Sequence, residues 1–107
     1  MSVNEIAKLI IDQAVIAGGA TWTQIQKAAP LYIKGYAQTI ADIASGVARG
    51  GITKKDAAMY VRNAHLLLIM GIANTSHIVM VQVQGFIDNV IRSIRTAING
   101  KLPIAIL

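Results

Sequence analysis

His65 and His77 are the side chains of this chain best suited to chemistry, since an imidazole can ligate a metal or carry a proton near neutral pH. Their spacing argues against a shared task. Twelve residues separate them, which leaves the two rings roughly 120° apart around a helix, so they cannot chelate one ion as an i, i+4 pair would. His65 falls among apolar residues and is expected to be a hydrogen-bonded packing residue, with a pH-sensitive interface as the sharper alternative. The carboxylates suggest no more. Glu5 and Asp12 share a helical face with Lys8 between them, an ion-pair ladder rather than an acid/base pair, and Asp88 and Arg92 repeat the four-residue spacing. With five carboxylates, two histidines and no cysteine, local spacing assembles no nucleophile and base. The chain is expected to be non-enzymatic, with no catalytic residue, no metal and no cofactor.

The same inventory bounds the class of protein. A chain of 107 residues is one domain, and 54% of it is apolar while 14% is charged, against ~25% charged in typical soluble domains. Such a chain must bury an unusual share of its surface in its own core, in other subunits or in lipid. The absence of cysteine excludes a disulfide scaffold and leaves the redox compartment open. The opening MSVNEIAKLIIDQ carries Glu5 and Asp12 where a secretory signal needs positive charge and an unbroken apolar run, so no signal peptide is expected. The net charge of +5 favours anionic partners, or simply a solubilising surface.

Helices must position whatever site there is. Ser2 and Glu5 have the spacing of a capping box, Ile6, Leu9, Ile10 and Ala14 follow on one face, and Gly18-Gly19 ends this first helix at about 3–17. A second segment, about 21–49, starts near Thr21 or Thr23 and keeps a three- and four-residue apolar step from Trp22 to Val47. Pro30 is expected to kink or restart it, and Gly50-Gly51 closes it. Thr53 caps a third helix, with Asp56 at its positive end.

That third helix raises the main structural question. No charged residue occurs from Asn63 to Ile87. Three series of apolar residues eleven apart run through this region: Val61, Ile72, Val83 and Ile94; Leu68, Val79 and Val90; Ile69, Met80 and Ile91. Eleven residues in three turns is ~3.67 per turn, a nearly straight helix. Asn74-Thr75-Ser76 are turn formers that would allow a fold-back into a four-helix bundle. The stripe nevertheless keeps phase across them, and the continuous helix from about 54 to 99 is the favoured expectation. A helix of ~45 residues would run ~68 Å, too long for one subunit to cover, so its stripe would need copies of itself, a partner or lipid.

The expected fold is therefore all-α, a single helical domain over 1–107 with three main helices, the last long or folded back near 74–76, in an oligomeric bundle. Residues 101–107, almost wholly apolar beyond a left-handed cap at Gly100 and the break at Pro103, should form an extended tail docked in a groove, by preference a neighbour's. The expected subunit interface comprises Val61, Leu68, Ile72, Val79, Val83, Val90 and Ile94 with Leu102, Ile104 and Ile106 of the tail. Opposite the stripe, Asn63, Asn74, His77, Gln84 and Asp88 form a polar line, either a solvated face or the lining of a wet channel. Lys54, Lys55, Arg92, Arg95 and Lys101 are candidate anion contacts. Small residues, Gly35 and Gly71 among them, leave room for close helix approach. The leading expectation for function is a self-associating structural protein that builds a ring, tube or bundle, in one form contacting or crossing a membrane, as a virion or injection-machine component would. Its partners would be copies of itself, other structural proteins or a membrane. The alternative is a compact cytosolic four-helix bundle acting as an adaptor or a nucleic-acid-binding module. Nucleic acid is the less favoured partner, because no binding motif occurs and aromatic residues are few.

Overall fold

The computed structural model describes residues 3–107; the capping box expected at Ser2 lies outside them. Every regular element among the described residues is helical: α1 (Val3–Ala17), α2 (Gly19–Ile25), α3 (Ala29–Ala48), α4 (Lys54–Ser76) and α5 (Met80–Gly100). Each long helix buries one stripe. Ile6, Ile10 and Ala14 of α1 meet Ile33, Ala37, Ile40 and Ala44 of α3, Leu68, Ile69 and Ile72 of α4, and Val83, Ile87, Val90 and Ile98 of α5 in one core. Nine isoleucines are fully buried there. Branching at Cβ leaves such side chains few rotamers to lose, which suits a tightly packed interior.

The segment expected as one kinked helix over 21–49 is two helices. α2 begins at Gly19, earlier than expected, and ends where Gln26 N–H donates to the carbonyl of Trp22 at 2.8 Å. Residues 26–28 then turn, and Pro30 sits in the first turn of α3, where its missing N–H would have had no helical partner. Proline restarts the chain here instead of bending it. Gly18, Gly19 and Gly50 adopt positive φ, so the two Gly-Gly pairs terminate helices as their type suggests. Gly100 does not. It is the last residue of α5, and Lys101 caps it in a right-handed conformation. Thr53 caps α4 as expected, its Oγ1 accepting from the Asp56 N–H at 3.1 Å.

The continuous helix over 54–99 is overturned. The chain reverses at 77–79, one residue beyond the Asn74-Thr75-Ser76 triplet, all of which remains helical or terminal to α4. His77 adopts the left-handed conformation (φ 56°, ψ 41°), and its N–H and that of Ile78 both donate to the Ala73 carbonyl. The eleven-residue series crosses the reversal because both arms turn their apolar faces to the same core. Val79 and Met80 are the members that fail: they stand at the turn into α5, 70% and 46% exposed. The resulting bundle measures 41 × 21 × 19 Å with a radius of gyration of 13.4 Å. Among the described residues no helix is long and apolar enough to cross a membrane.

The short α2 braces the reversal. Trp22 stacks on Phe86 with ring centroids 6.3 Å apart, and Gln82 Nε2 donates to Thr21 Oγ1 and Gln24 Oε1. α3 and α4 approach closely at Gly71. A Cβ there would come within 2.4 Å of the Tyr32 ring, whose hydroxyl shares a 2.7 Å hydrogen bond with Thr75 Oγ1. The C-terminal tail docks on its own chain, against the expectation of a neighbour's groove. Leu102 is buried, and Ile104, Ile106 and Leu107 pack on the core. Asn99 holds them, its Oδ1 accepting from the N–H groups of Ile106 (3.2 Å) and Leu107 (3.0 Å).

Two outcomes follow. A left-handed non-glycine residue costs roughly 1–2 kcal/mol, so His77→Gly should stabilise the fold by about 0.5–1 kcal/mol after the entropy that glycine adds to the unfolded chain, while His77→Val should destabilise it. Urea unfolding midpoints at constant slope would show both. Asn99→Ala should make the Ile106 and Leu107 amides exchange rapidly and cost about 1 kcal/mol; unchanged hydrogen exchange would mean that tail packing alone holds them.

Candidate functional site

Folding α5 back along α4 decides which polar residues meet. On one side of α4, Arg62 and His65 face Gln84, Asp88, Arg92 and Arg95 of α5 across a groove of about 430 Å³, with Tyr36 of α3 and Leu107 of the tail also lining it. His65 Nε2 and Asp88 Oδ1 are 2.5 Å apart, both side chains partly buried. The hydrogen-bonded packing role expected of His65 is what its geometry gives, though its partner lies on the other helix. Asp88 pairs with this imidazole, not with Arg92 as the four-residue spacing suggested. The lining side chains include three guanidinium groups and one carboxylate.

Tyr36 forms the floor beneath this groove. It is 4% exposed, its ring meets the His65 ring edge-on at 6.3 Å, and its hydroxyl is buried with no hydrogen-bond partner. Burial raises its pKa to about 12, against a smaller opposing effect of the Arg95 charge.

On the other side of α4 lies a groove of about 490 Å³ shared with α3. Leu31, Gly35, Thr39 and Ile43 form one wall; Tyr60, Asn63, Ala64 and Leu67 form the other. No lining residue is charged. Leu31 is 74% and Leu67 66% exposed, and Met59 and Met70 are further exposed apolar residues of α4. A Cβ at Gly35 would touch nothing within 4 Å, so this glycine keeps the groove open and admits no packed neighbour from within the chain.

The residues expected to form a subunit interface are redistributed accordingly. Leu68, Ile72, Val83, Val90 and Leu102 are buried within the chain, and Val61, Ile94, Ile104 and Ile106 pack half-buried against that core. They cover one another, because the fold-back supplies the second surface that a straight helix would have needed from a partner. The polar line also divides. Asn63 belongs to the α3–α4 groove, Gln84 and Asp88 to the α4–α5 groove, and Asn74 and His77 to the exposed end of α4. Of the candidate anion contacts, Arg92 and Arg95 converge. Lys101 pairs with Glu5 at 3.4 Å, and Lys54 lines a small hollow beside the tail. Lys55 is exposed at the start of α4. Arg62 reads from sequence as part of a separate basic end with Lys54 and Lys55, and Tyr36 as one more residue of the apolar step; that the two meet Arg92 and Arg95 was missed. A reversal centred on residue 78 places 62 opposite 92–95, and only that pairing could have signalled it.

An unpartnered buried hydroxyl costs about 1–3 kcal/mol, so Tyr36→Phe should raise stability at pH 7 by about 1 kcal/mol. The folded pKa lies above the unfolded one, so the wild type should lose stability as pH climbs from 10 to 12, where the unfolded chain ionises first. The loss should approach roughly 2–3 kcal/mol and be missing from the Phe variant. Denaturant melts of both proteins at pH 9 and pH 11.5 would measure it; parallel losses would place the ionising group elsewhere.

No protein family, curated protein or solved structure matches this chain.

Proposed function

We propose that this protein is a non-enzymatic helical subunit that associates with a second copy of itself through the groove between α3 and α4. The observation that carries this is the absence of charge from the groove, whose rims present Leu31, Tyr60 and Leu67 to solvent. Monomeric soluble proteins rarely leave contiguous apolar patches above a few hundred Å² uncovered. The chain carries a net charge of +5, so two copies repel through most of their surfaces. An uncharged face is where they can meet without burying like charges. A groove flanked by projecting leucines is also self-complementary: the ridge of one copy can enter the groove of the other about a twofold axis, which closes the assembly. Gly35 and Ala64 set the depth to which a leucine could enter.

Size-exclusion chromatography with light scattering tests this directly. The wild type should run as a discrete oligomer, and Gly35→Glu should run as a monomer. That variant fills the groove and charges it. It should fold at least as well as the wild type, since the added Cβ meets open space and leaving glycine gains about 0.5 kcal/mol in a helix. Leu67→Glu should act in the same way from the opposite wall. A wild type that is monomeric at high concentration, or an oligomer that survives both substitutions, would refute the assignment.

A further inference from the structure

The α4–α5 groove has no part in that association, and its chemistry is different. Its three arginines come from two antiparallel helices and converge on one opening. Among the described residues the ion pairs are Lys8–Asp12, His65–Asp88 and Lys101–Glu5, and none engages an arginine. These three guanidinium groups line one groove without an ion-pair partner, and the one side-chain carboxylate in its lining is already held by an imidazole. Beneath them lies the Tyr36 hydroxyl, buried and without a partner, close enough to Arg95 for that residue's charge to act on it. A buried donor left unused next to converging cations is what an anion's oxygen would satisfy. Besides Gln84 and the His65–Asp88 pair, the remaining lining is apolar, with Ala58, Val61, Leu66, Ile91 and Leu107, and the volume of about 430 Å³ lies within the ~300–1,000 Å³ range of small-molecule sites.

We propose that this groove binds a small amphiphilic organic anion, a carboxylate or phosphate monoester. Its oxyanion is held by Arg62, Arg92 and Arg95, and its apolar body lies against Val61, Leu66 and Ile91. Guanidinium forks match either oxyanion with paired N–H donors. The apolar walls select against inorganic anions, which have nothing to place there. Polymeric nucleic acid is a poor fit, because the cations are gathered at one opening and the rest of the lining offers a phosphate backbone no continuation.

Amide chemical shifts followed during titration would test it, with octyl phosphate below its micelle concentration as the probe and inorganic phosphate, 1-octanol and anionic phospholipid vesicles as the comparison arms. Octyl phosphate should give saturable shifts confined to residues near 61–66 and 88–95. Inorganic phosphate should bind at least tenfold more weakly, and octanol should not saturate. Arg95→Gln and Arg92→Gln should each weaken octyl phosphate about tenfold or more, the range expected for a lost charge-assisted hydrogen bond. Tyr36→Phe should weaken it several-fold while making the fold more stable, a combination that a purely structural tyrosine would not produce. Gly35→Glu, in the other groove, should leave it unchanged. The proposal fails if no saturable shift occurs at millimolar octyl phosphate, if the shifts map to the α3–α4 groove, if both arginine variants bind as the wild type does, or if vesicles bind where the soluble ester does not.

Discussion

The amides of His77 and Ile78 both donate to the carbonyl of Ala73, and the rest of the structure depends on that shared cap. It ends α4 within one residue and sends α5 back along it. A stripe that would otherwise need a partner is then covered by the chain itself. The reversal also takes residues that a straight helix would hold about 45 Å apart at ~1.5 Å per residue, Arg62 and Arg92, and places them across one groove. Core and candidate site thus share one cause. His77 achieves the turn without glycine's freedom, and the bracing by Trp22, Thr21 and Gln24 against the start of α5 helps hold it in a conformation that a side chain disfavours.

The charge-free run from Asn63 to Ile87 has a simple account once the reversal is in place. One face of each arm supplies the core, and the outer face of α4 supplies the uncharged wall of the α3–α4 groove. No lipid is needed to explain it. The charged residues of α4 and α5 lie outside this run, toward the end of the bundle away from the turn, and the two helices bring them together there. The molecule therefore has two chemically different grooves on either side of one helix, with Tyr36 lining both.

Much of this architecture is legible in the residues. The apolar steps of α1 and α3, the Thr53 cap and the glycine pairs at 18–19 and 50–51 each act locally, so spacing alone identifies them. The exceptions are long-range. Asn74, Thr75 and Ser76 favour a turn by type, yet the stop came at His77, whose imidazole is no strong turn former. The phase of Ile72 and Val83 argued for continuity because periodicity reports which face is buried and not what buries it. Leu68, Ile72, Val83 and Val90 were recognisable as interface, but the interface is internal. Arg62, Arg92 and Arg95 could be seen as basic ends of a rod, and their convergence depends on a contact between segments 30 residues apart. Tyr36 falls in the apolar step of the second segment and so reads as core, but a buried hydroxyl without a partner exists only in three dimensions.

Gly71 and Tyr32 bind two distant positions into one. The ring occupies the space where a Cβ at 71 would stand, and the hydroxyl reaches on to Thr75. A side chain added at 71 alone meets the ring. A larger residue at 71 is therefore expected to arrive with a smaller one at 32. In any lineage that carries this fold, the two sites are expected to behave as a single heritable character, and their joint variation would mark kinship where overall sequence resemblance has worn away.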